Sequence, residues 1–329
     1  MRNLLKTKSL PQSSEFYLLL VDIALFTVLM ICTNGRFIQA DNIVDMIIGY
    51  APLGIMAAGE LVVIISGGID MSFMAIATIS QYLMALYMLK HGGNFLIIFV
   101  IAIATGIILG FVNAILVNSL KAPTMIITIA TMSVFYGVLM WLTKGKWLNN
   151  FPNWFSQKTT FQRIAIPLGA LVIIFAITTL ILKYTRIGRM IYYIGGNLES
   201  AKRVGINILK VQLFVYGFAG ATAAIGAIVQ CYLIQNVAPN SLVGNEMSVI
   251  AMVVLGGVSL SGGKGSTIGT LLGLLLIASL SNGLVLLGIS SYWQNLVVGA
   301  VILISFCLTG YRMLKIRNQE KKGGHLDEK

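Results

Sequence analysis

Apolar residues run along this chain in long stretches, separated by short polar or glycine-rich breaks. A helix needs about 20 apolar residues to cross the hydrocarbon core of a bilayer. By that measure ten spans are predicted, at residues 16–33, 43–65, 71–89, 95–118, 123–143, 164–183, 211–235, 246–262, 267–287 and 291–310. The expected fold is all-α: a polytopic membrane protein of about ten transmembrane helices, residues 16–310, between an N-terminal tail at 1–15 and a basic tail at 311–329. The first run, "FYLLLVDIALFTVLMIC", follows a basic start as a signal sequence would. It is long, and no small residue precedes its cysteine, so it reads as a retained first helix.

Composition agrees with this pattern. Hydrophobic residues make up 57% and charged residues 10%, against about 25% charged in ordinary soluble domains. So little charge cannot solvate the surface of a globule this large. The net charge of +12 would suggest nucleic acid in a soluble protein, but here the cations flank apolar runs. They orient the chain: 17 of the 23 Lys and Arg fall on one set of segments (1–15, 66–70, 119–122, 183–210, 263–266 and the tail) and 6 on the other. Positive charge marks the cytoplasmic side, which puts both termini inside and leaves no nucleic-acid partner to expect.

The stretch 144–163 runs against that trend with four basic residues, and adds Trp147, Phe151, Trp154, Phe155 and Phe161. It reads as a segment lying in the interface plane on the outer side, or as a docking platform for an external partner.

Two glycine pairs stand out among 34 glycines, "SGGIDMS" at 66–72 and "LGGVSLSGGKGS" at 255–266. Both place Gly-Gly, a β-branched residue, one further residue, Met or Leu, then Ser. The match admits an internal repeat of the kind transporters carry. Glycine pairs also break helices, which a membrane tolerates only where the break is buried in protein or lines a water-filled path. Elsewhere glycine spacing such as "GTLLG" at 269–273 serves close helix packing.

Several chemistries are missing. A P-loop reads G-x-x-x-x-G-K-[ST], and with Gly263-Lys264 in place its first glycine falls on Val258 and its hydroxyl residue on Gly265. The chain should therefore bind no ATP of its own. Cys32, Cys231 and Cys307 are odd in number and lack CxxC spacing, and His91 and His325 lie far apart, so no metal is expected. Acids in or near spans are Asp22, Asp45, Glu60, Asp70 and Glu246, of which Asp22 and Glu60 are the candidates for an ion relay. The spans otherwise carry neutral polarity (Gln81, Asn113, Asn118, Gln230, Asn282, Gln294, Asn295). Such groups glue helices together or line a path for a polar neutral solute.

The stretch "IGGNLESAKRVGINILK" at 194–210 looks soluble. Asn197 can cap a helix with Glu199 in its first turn, Lys202 and Arg203 near its end and Gly205 beyond it. A helix of about seven residues is too short to stand alone in water. Either the protein's own inner face or a cytoplasmic partner must hold it.

Five blocks, "SGGIDMS", "NAILVNSLKAPTMIITIATMSVFYGV", "TRIGRMIYYIGGNLESAKRVGIN", "VIAMVVLGGVSLSGGKGSTIGTLLG" and "SNGLVLLGISSYWQNLVVG", occur in this order. Together they resemble the membrane permeases of binding-protein-dependent bacterial ABC importers of the ribose type, which include autoinducer-2 systems. The resemblance implies a cell-membrane permease dimer, paired with itself or a similar chain, lipid around it, a cytoplasmic ATPase that uses ATP, and an extracytoplasmic sugar-binding protein. It implies an ATPase-coupling role for the loop 184–210, at Gly188, Arg189, Gly195, Gly196, Asn197, Glu199, Ala201, Arg203 and Gly205. Candidates for the translocation path are Gly67, Gly68, Asp70, Ser72, Asn113 and Thr131, then Gly256, Gly257, Asn282 and Trp293. The chain departs from the family at Phe73-Met74, where Val-Gly is usual, and at Ala130, where glycine is usual. The cargo implied is a monosaccharide-like neutral solute; a nucleoside cargo or an ion-coupled sugar carrier are the alternatives.

Overall fold

A computed structural model of the protein describes residues 14–290 and, beyond them, only Tyr292, Trp293, Leu296, Val297, Gly299, Ala300 and Leu303. The helices run α1 (Ser14–Cys32), α2 (Ala40–Ile65), α3 (Phe73–His91), α4 (Phe95–Leu120), α5 (Thr124–Thr143), α6 (Asn153–Ser156) and α7 (Thr160–Tyr184). They continue as α8 (Arg186–Gly196), α9 (Leu198–Arg203), α10 (Ile208–Ile234), α11 (Glu246–Leu255) and α12 (Thr267–Leu286). Among the described residues eight helices are long and apolar enough to cross a membrane: α1 to α5, α7, α10 and α12. The predicted all-α multi-pass fold is what the chain adopts.

Of the expected spans, one differs and one lies mostly outside the described residues. The one at 246–262 is a ten-residue helix, α11, that stops at Leu255. At about 1.5 Å per residue it covers roughly 15 Å, half of a bilayer core. Upstream, Pro239 and Gly244, the latter with φ 107°, cannot continue a helix backwards; downstream, Gly257 at φ 83° ends it. The segment before α11 also enters the bundle, since Ser241 Oγ donates to Gln81 Oε1 of α3 at 3.3 Å. The other expected span, 291–310, and both tails lie mostly or wholly outside the described residues.

Helices α2, α3 and α10 are the buried centre, while α1, α4, α5 and α7 are mostly exposed and present apolar side chains to the surroundings. No hydrophobic force pulls helices together in lipid, so close backbone approach has to hold them. The α4–α10 seam shows how. Gly106 and Gly110, one GxxxG apart on α4, lie so near α10 that an added Cβ would fall 2.2 Å from the carbonyl oxygens of Gly220 and Tyr216. The "GTLLG" spacing works likewise: Cβ atoms on Gly269 and Gly273 would stand 2.0 Å from the carbonyls of Gly256 and Met252.

At the bundle end opposite the glycine turns, the stretch 144–163 forms a small aromatic floor. Phe155 is buried edge-to-face among Phe151, Trp154 and Tyr232. Lys158 lies over the Tyr232 ring, 4.4 Å from its centroid, and donates to the Tyr232 carbonyl. Trp147 and Phe161 stay exposed.

Candidate functional site at the basic end of the bundle

The loop 184–210 is more ordered than its sequence suggested. After α7 the backbone turns at Thr185, whose Oγ1 accepts from Gly188 N at 3.1 Å and caps α8. Ile187, Ile191 and Ile194 recur at helical spacing, which could have revealed α8. Gly188 has no room for a side chain, because a Cβ would lie 2.2 Å from the Ile181 carbonyl. Then Asn197 Oδ1 accepts from Ser200 N at 2.9 Å and starts α9. Glu199 sits in the first turn and pairs with Lys202 at 2.7 Å. Gly205, at φ 80°, ends the helix, with Ile206 N reaching back to the Ala201 carbonyl at 3.1 Å.

This pair of short helices has two faces. Ala201, Ile191 and Ile194 are buried against the bundle. Arg186, Arg189, Lys202 and Arg203 are exposed, and between them stand Tyr193, Leu198 and Val204, also exposed. An apolar patch rimmed by cations is the composition of a protein-docking surface.

The first glycine turn lies directly behind it. It leaves α2 at Ile65 and re-enters α3 at Phe73, and most of it is buried. Ile69 N donates to Thr124 Oγ1 and Met71 N to Thr128 Oγ1, both at 3.0 Å; Thr128 in turn donates to the Ile69 carbonyl at 3.1 Å. Asp70 N donates to Glu60 Oε1 at 3.1 Å. Asp70 Oδ1 accepts from both N and Oγ of Ser72 at 2.7 Å, and Asn113 Nδ2 donates to Ser72 Oγ at 2.6 Å. Gly68 faces the Tyr216 hydroxyl, 3.0 Å from where a Cβ would be. Thus α2, α3, α4, α5 and α10 all meet this turn.

Of the predicted path residues, the structure brings together Gly67, Gly68, Asp70, Ser72 and Asn113. Thr131 is one turn away, its hydroxyl donating to the Thr128 carbonyl at 3.1 Å. Gly256 packs on α12, where a Cβ would lie 2.5 Å from the Gly269 backbone, and Gly257 makes the turn after α11. Asn282 is at the far end, exchanging hydrogen bonds of 3.0 and 3.1 Å with Asn42; it joins α12 to α2. Trp293 follows α12 at that same far end and is 60% exposed, away from the turn. Sequence reading missed Thr124, Thr128, Tyr192 and Tyr216. The threonines lie four apart just after Pro123 and so share a helix face. Asp22 and Glu60, the two relay candidates, are not joined: Glu60 bonds the Asp70 amide, whereas Asp22 borders a cavity of ≈ 310 Å³ lined by Leu19, Ile23, Phe26 and Leu272 among others.

A bundle of membrane-length helices, half-helix α11, glycine-broken turns and an exposed basic face at one end describe a multi-pass membrane permease. Residues 42–306 match the family described as "Branched-chain amino acid transport system / permease component", and the chain belongs to that family. It is 35% identical over 279 residues to the ribose import permease protein RbsC of Bacillus subtilis, covering 84% of this chain and 86% of that one. Identity to RbsC of Haemophilus influenzae is 32%, over 92% of this chain and 94% of the relative. The autoinducer 2 import system permease protein LsrC of Photorhabdus luminescens is 30% identical over 92% of each chain. No solved structure matches the chain.

Proposed function

We propose that the protein is the membrane subunit of a bacterial ABC importer that carries a ribose-like neutral solute across the cytoplasmic membrane. The basic end faces the cytoplasm. There α8 and α9 seat on a separate ATPase, which supplies the ATP-driven stroke; a binding protein delivers solute to the opposite end, and a second permease chain completes the pathway. This chain holds no nucleotide and catalyses nothing itself. The relatives named for ribose and autoinducer 2 support the cargo class, against the branched-chain amino acids of the family's description. A set of neutral polar groups inside the spans suits a polyol better than a charged zwitterion.

The observation that carries the reading is the exposed face of α8–α9. Two short helices held to the bundle by Ile191, Ile194 and Ala201 offer cations and apolar side chains outward. Alternating access then requires the ATPase to favour one arrangement of the bundle over another. Reconstitution into proteoliposomes tests it, with [14C]ribose as probe. Uptake should need the partner ATPase, ATP and the binding protein together. Uptake by the permease alone, or abolished by an uncoupler and indifferent to the ATPase, would overturn it.

A further inference from the structure

Near its end, the helix proposed to meet the ATPase has one residue that touches both of the bundle's glycine turns. Gly195, near the end of α8, has no space for even a methyl group: a Cβ there would lie 1.8 Å from the Ile65 carbonyl oxygen and 2.6 Å from Gly263 N. Ile65 is the last residue of α2 and opens the first turn; Gly263 belongs to the second. Those same two groups bond each other, Gly263 N donating to the Ile65 carbonyl at 2.9 Å. Gly67 and Gly262 close the contact from either side. A Cβ on Gly67 would stand 3.4 Å from Gly195 Cα, and one on Gly262 2.7 Å from the Gly195 carbonyl. Three glycines take left-handed conformations here, Gly67 at φ 87°, Gly262 at φ 80° and Gly263 at φ 72°.

A second tie runs beside it. Tyr192, one helical turn earlier on α8, donates its hydroxyl to the Gly265 carbonyl at 2.9 Å. Burial pushes that hydroxyl further above its ordinary pKa. This bond ties α8 to the second turn, and the backbone contact at Gly195 packs it against both turns.

We infer that Gly195 and Tyr192 are the positioning residues through which movement of the ATPase-facing helix reaches α2–α3 and α11–α12 at once. The inference rests on the reading of α8–α9 as the ATPase seat. Backbone packed on backbone has no side-chain rotamer to absorb a displacement, so a shift of α8 is passed on rather than lost. The first turn is hydrogen-bonded onward to α4 and α5, as given above. The second leads straight into α12, whose cap Ser266 also bonds Glu15 of α1. One contact thus addresses helices on both sides of the buried centre. Gly67 from the first turn and Gly262 and Gly263 from the second supply the walls of that contact.

The test uses the complete assembly and a readout independent of cargo. With Cys32, Cys231 and Cys307 replaced by Ala, Ser241→Cys places a reporter at the opposite end, and its labelling by a membrane-impermeant maleimide is measured with and without ATP plus vanadate. The parent protein should show an ATP-dependent change in labelling. Measured per bound ATPase, Gly195→Ala should shrink that change about fivefold or more. Tyr192→Phe should shrink it about threefold. Gly169→Ala, a glycine on α7 with nothing within 4 Å of its Cβ position, should leave it intact. A Gly195→Ala protein that responds like the parent overturns the inference. If that variant does not fold, Tyr192→Phe decides, and a full response there overturns it equally. A parent that binds no ATPase, or whose reporter ignores ATP, refutes instead the reading of α8–α9 on which the inference stands.

Discussion

At residues 66–72 the chain is pinned by polar side chains of neighbouring helices; at 256–266 a turn with the same Gly-Gly signature is shaped by backbone bonds of its own and tied outward at three points. In the first, two backbone amides reach threonines of α5, one reaches Glu60 of α2, and Ser72 joins Asp70 to Asn113 of α4. In the second, Ser259 N donates to the Lys264 carbonyl and Gly262 N to the Ser259 carbonyl, at 3.0 and 2.9 Å. Its outward ties are the Ile65 carbonyl, Tyr192 and Glu15. Glycine pairs say only that a helix breaks. Whether the break is rigid depends on polar side chains supplied from elsewhere in the chain.

Asp70→Leu breaks the comparison hardest. It removes the acceptor for two Ser72 donors that are fully buried. Two orphaned donors cost about 2–6 kcal/mol together, so thermal unfolding in detergent should fall by far more than for any change in the second turn. An unshifted melting temperature would mean that the first turn is no anchor. Next comes Thr128→Val, which keeps shape but takes the partner of Met71 N and of the Ile69 carbonyl. A loss of about 1–3 kcal/mol is expected, read by the same melt. Stability equal to the parent would show that the α5 threonines are incidental to the turn.

These anchors explain what the sequence let a reader see. Cap chemistry is local, and so Asn197, Glu199 and Gly205 announced α9 to within a residue, as long apolar runs announced the membrane helices. The break at 66–70 was visible for the same reason. The half-length of α11 was hidden, because apolar residues run on through Gly256-Gly257 to Val258, and hydropathy does not register a left-handed glycine. Asp70 and Ser72 could be picked out as polar residues beside glycine. The partners of the turn as a whole, Thr124 and Thr128 for Ile69 and Met71 and Asn113 for Ser72, come from 41 to 59 positions away, a pairing that only the folded chain creates. The meeting of Gly195 with Ile65 and Gly263 is likewise tertiary: each stretch reads as an inner loop, and nothing in the spacing shows that they touch.

Within the second turn the expected effects shrink. Gly262→Ala forces a side chain onto φ 80° and toward the Gly195 carbonyl. The left-handed conformation costs about 1–2 kcal/mol for a residue with a Cβ, and that Cβ would also press on the Gly195 and Gly67 backbones at 2.7 to 2.9 Å, so a clear fall in melting temperature is expected, still below that of Asp70→Leu. A larger fall would show that the second turn, too, is an anchor.

Lys264→Ala should do least. Its side chain is exposed and makes no hydrogen bond or ion pair among the described residues, while its carbonyl keeps the bond from Ser259 N whatever the side chain. Exposed substitutions away from such features stay within about 0.5 kcal/mol, and the melt should not move. The variant therefore separates two origins of the turn's shape. If backbone bonds and glycine geometry suffice, removing the one cation of "SGGKGS" changes nothing in the isolated protein. A clear loss of stability would instead mean that the lysine holds the turn in place, and that the two turns are pinned by side chains alike.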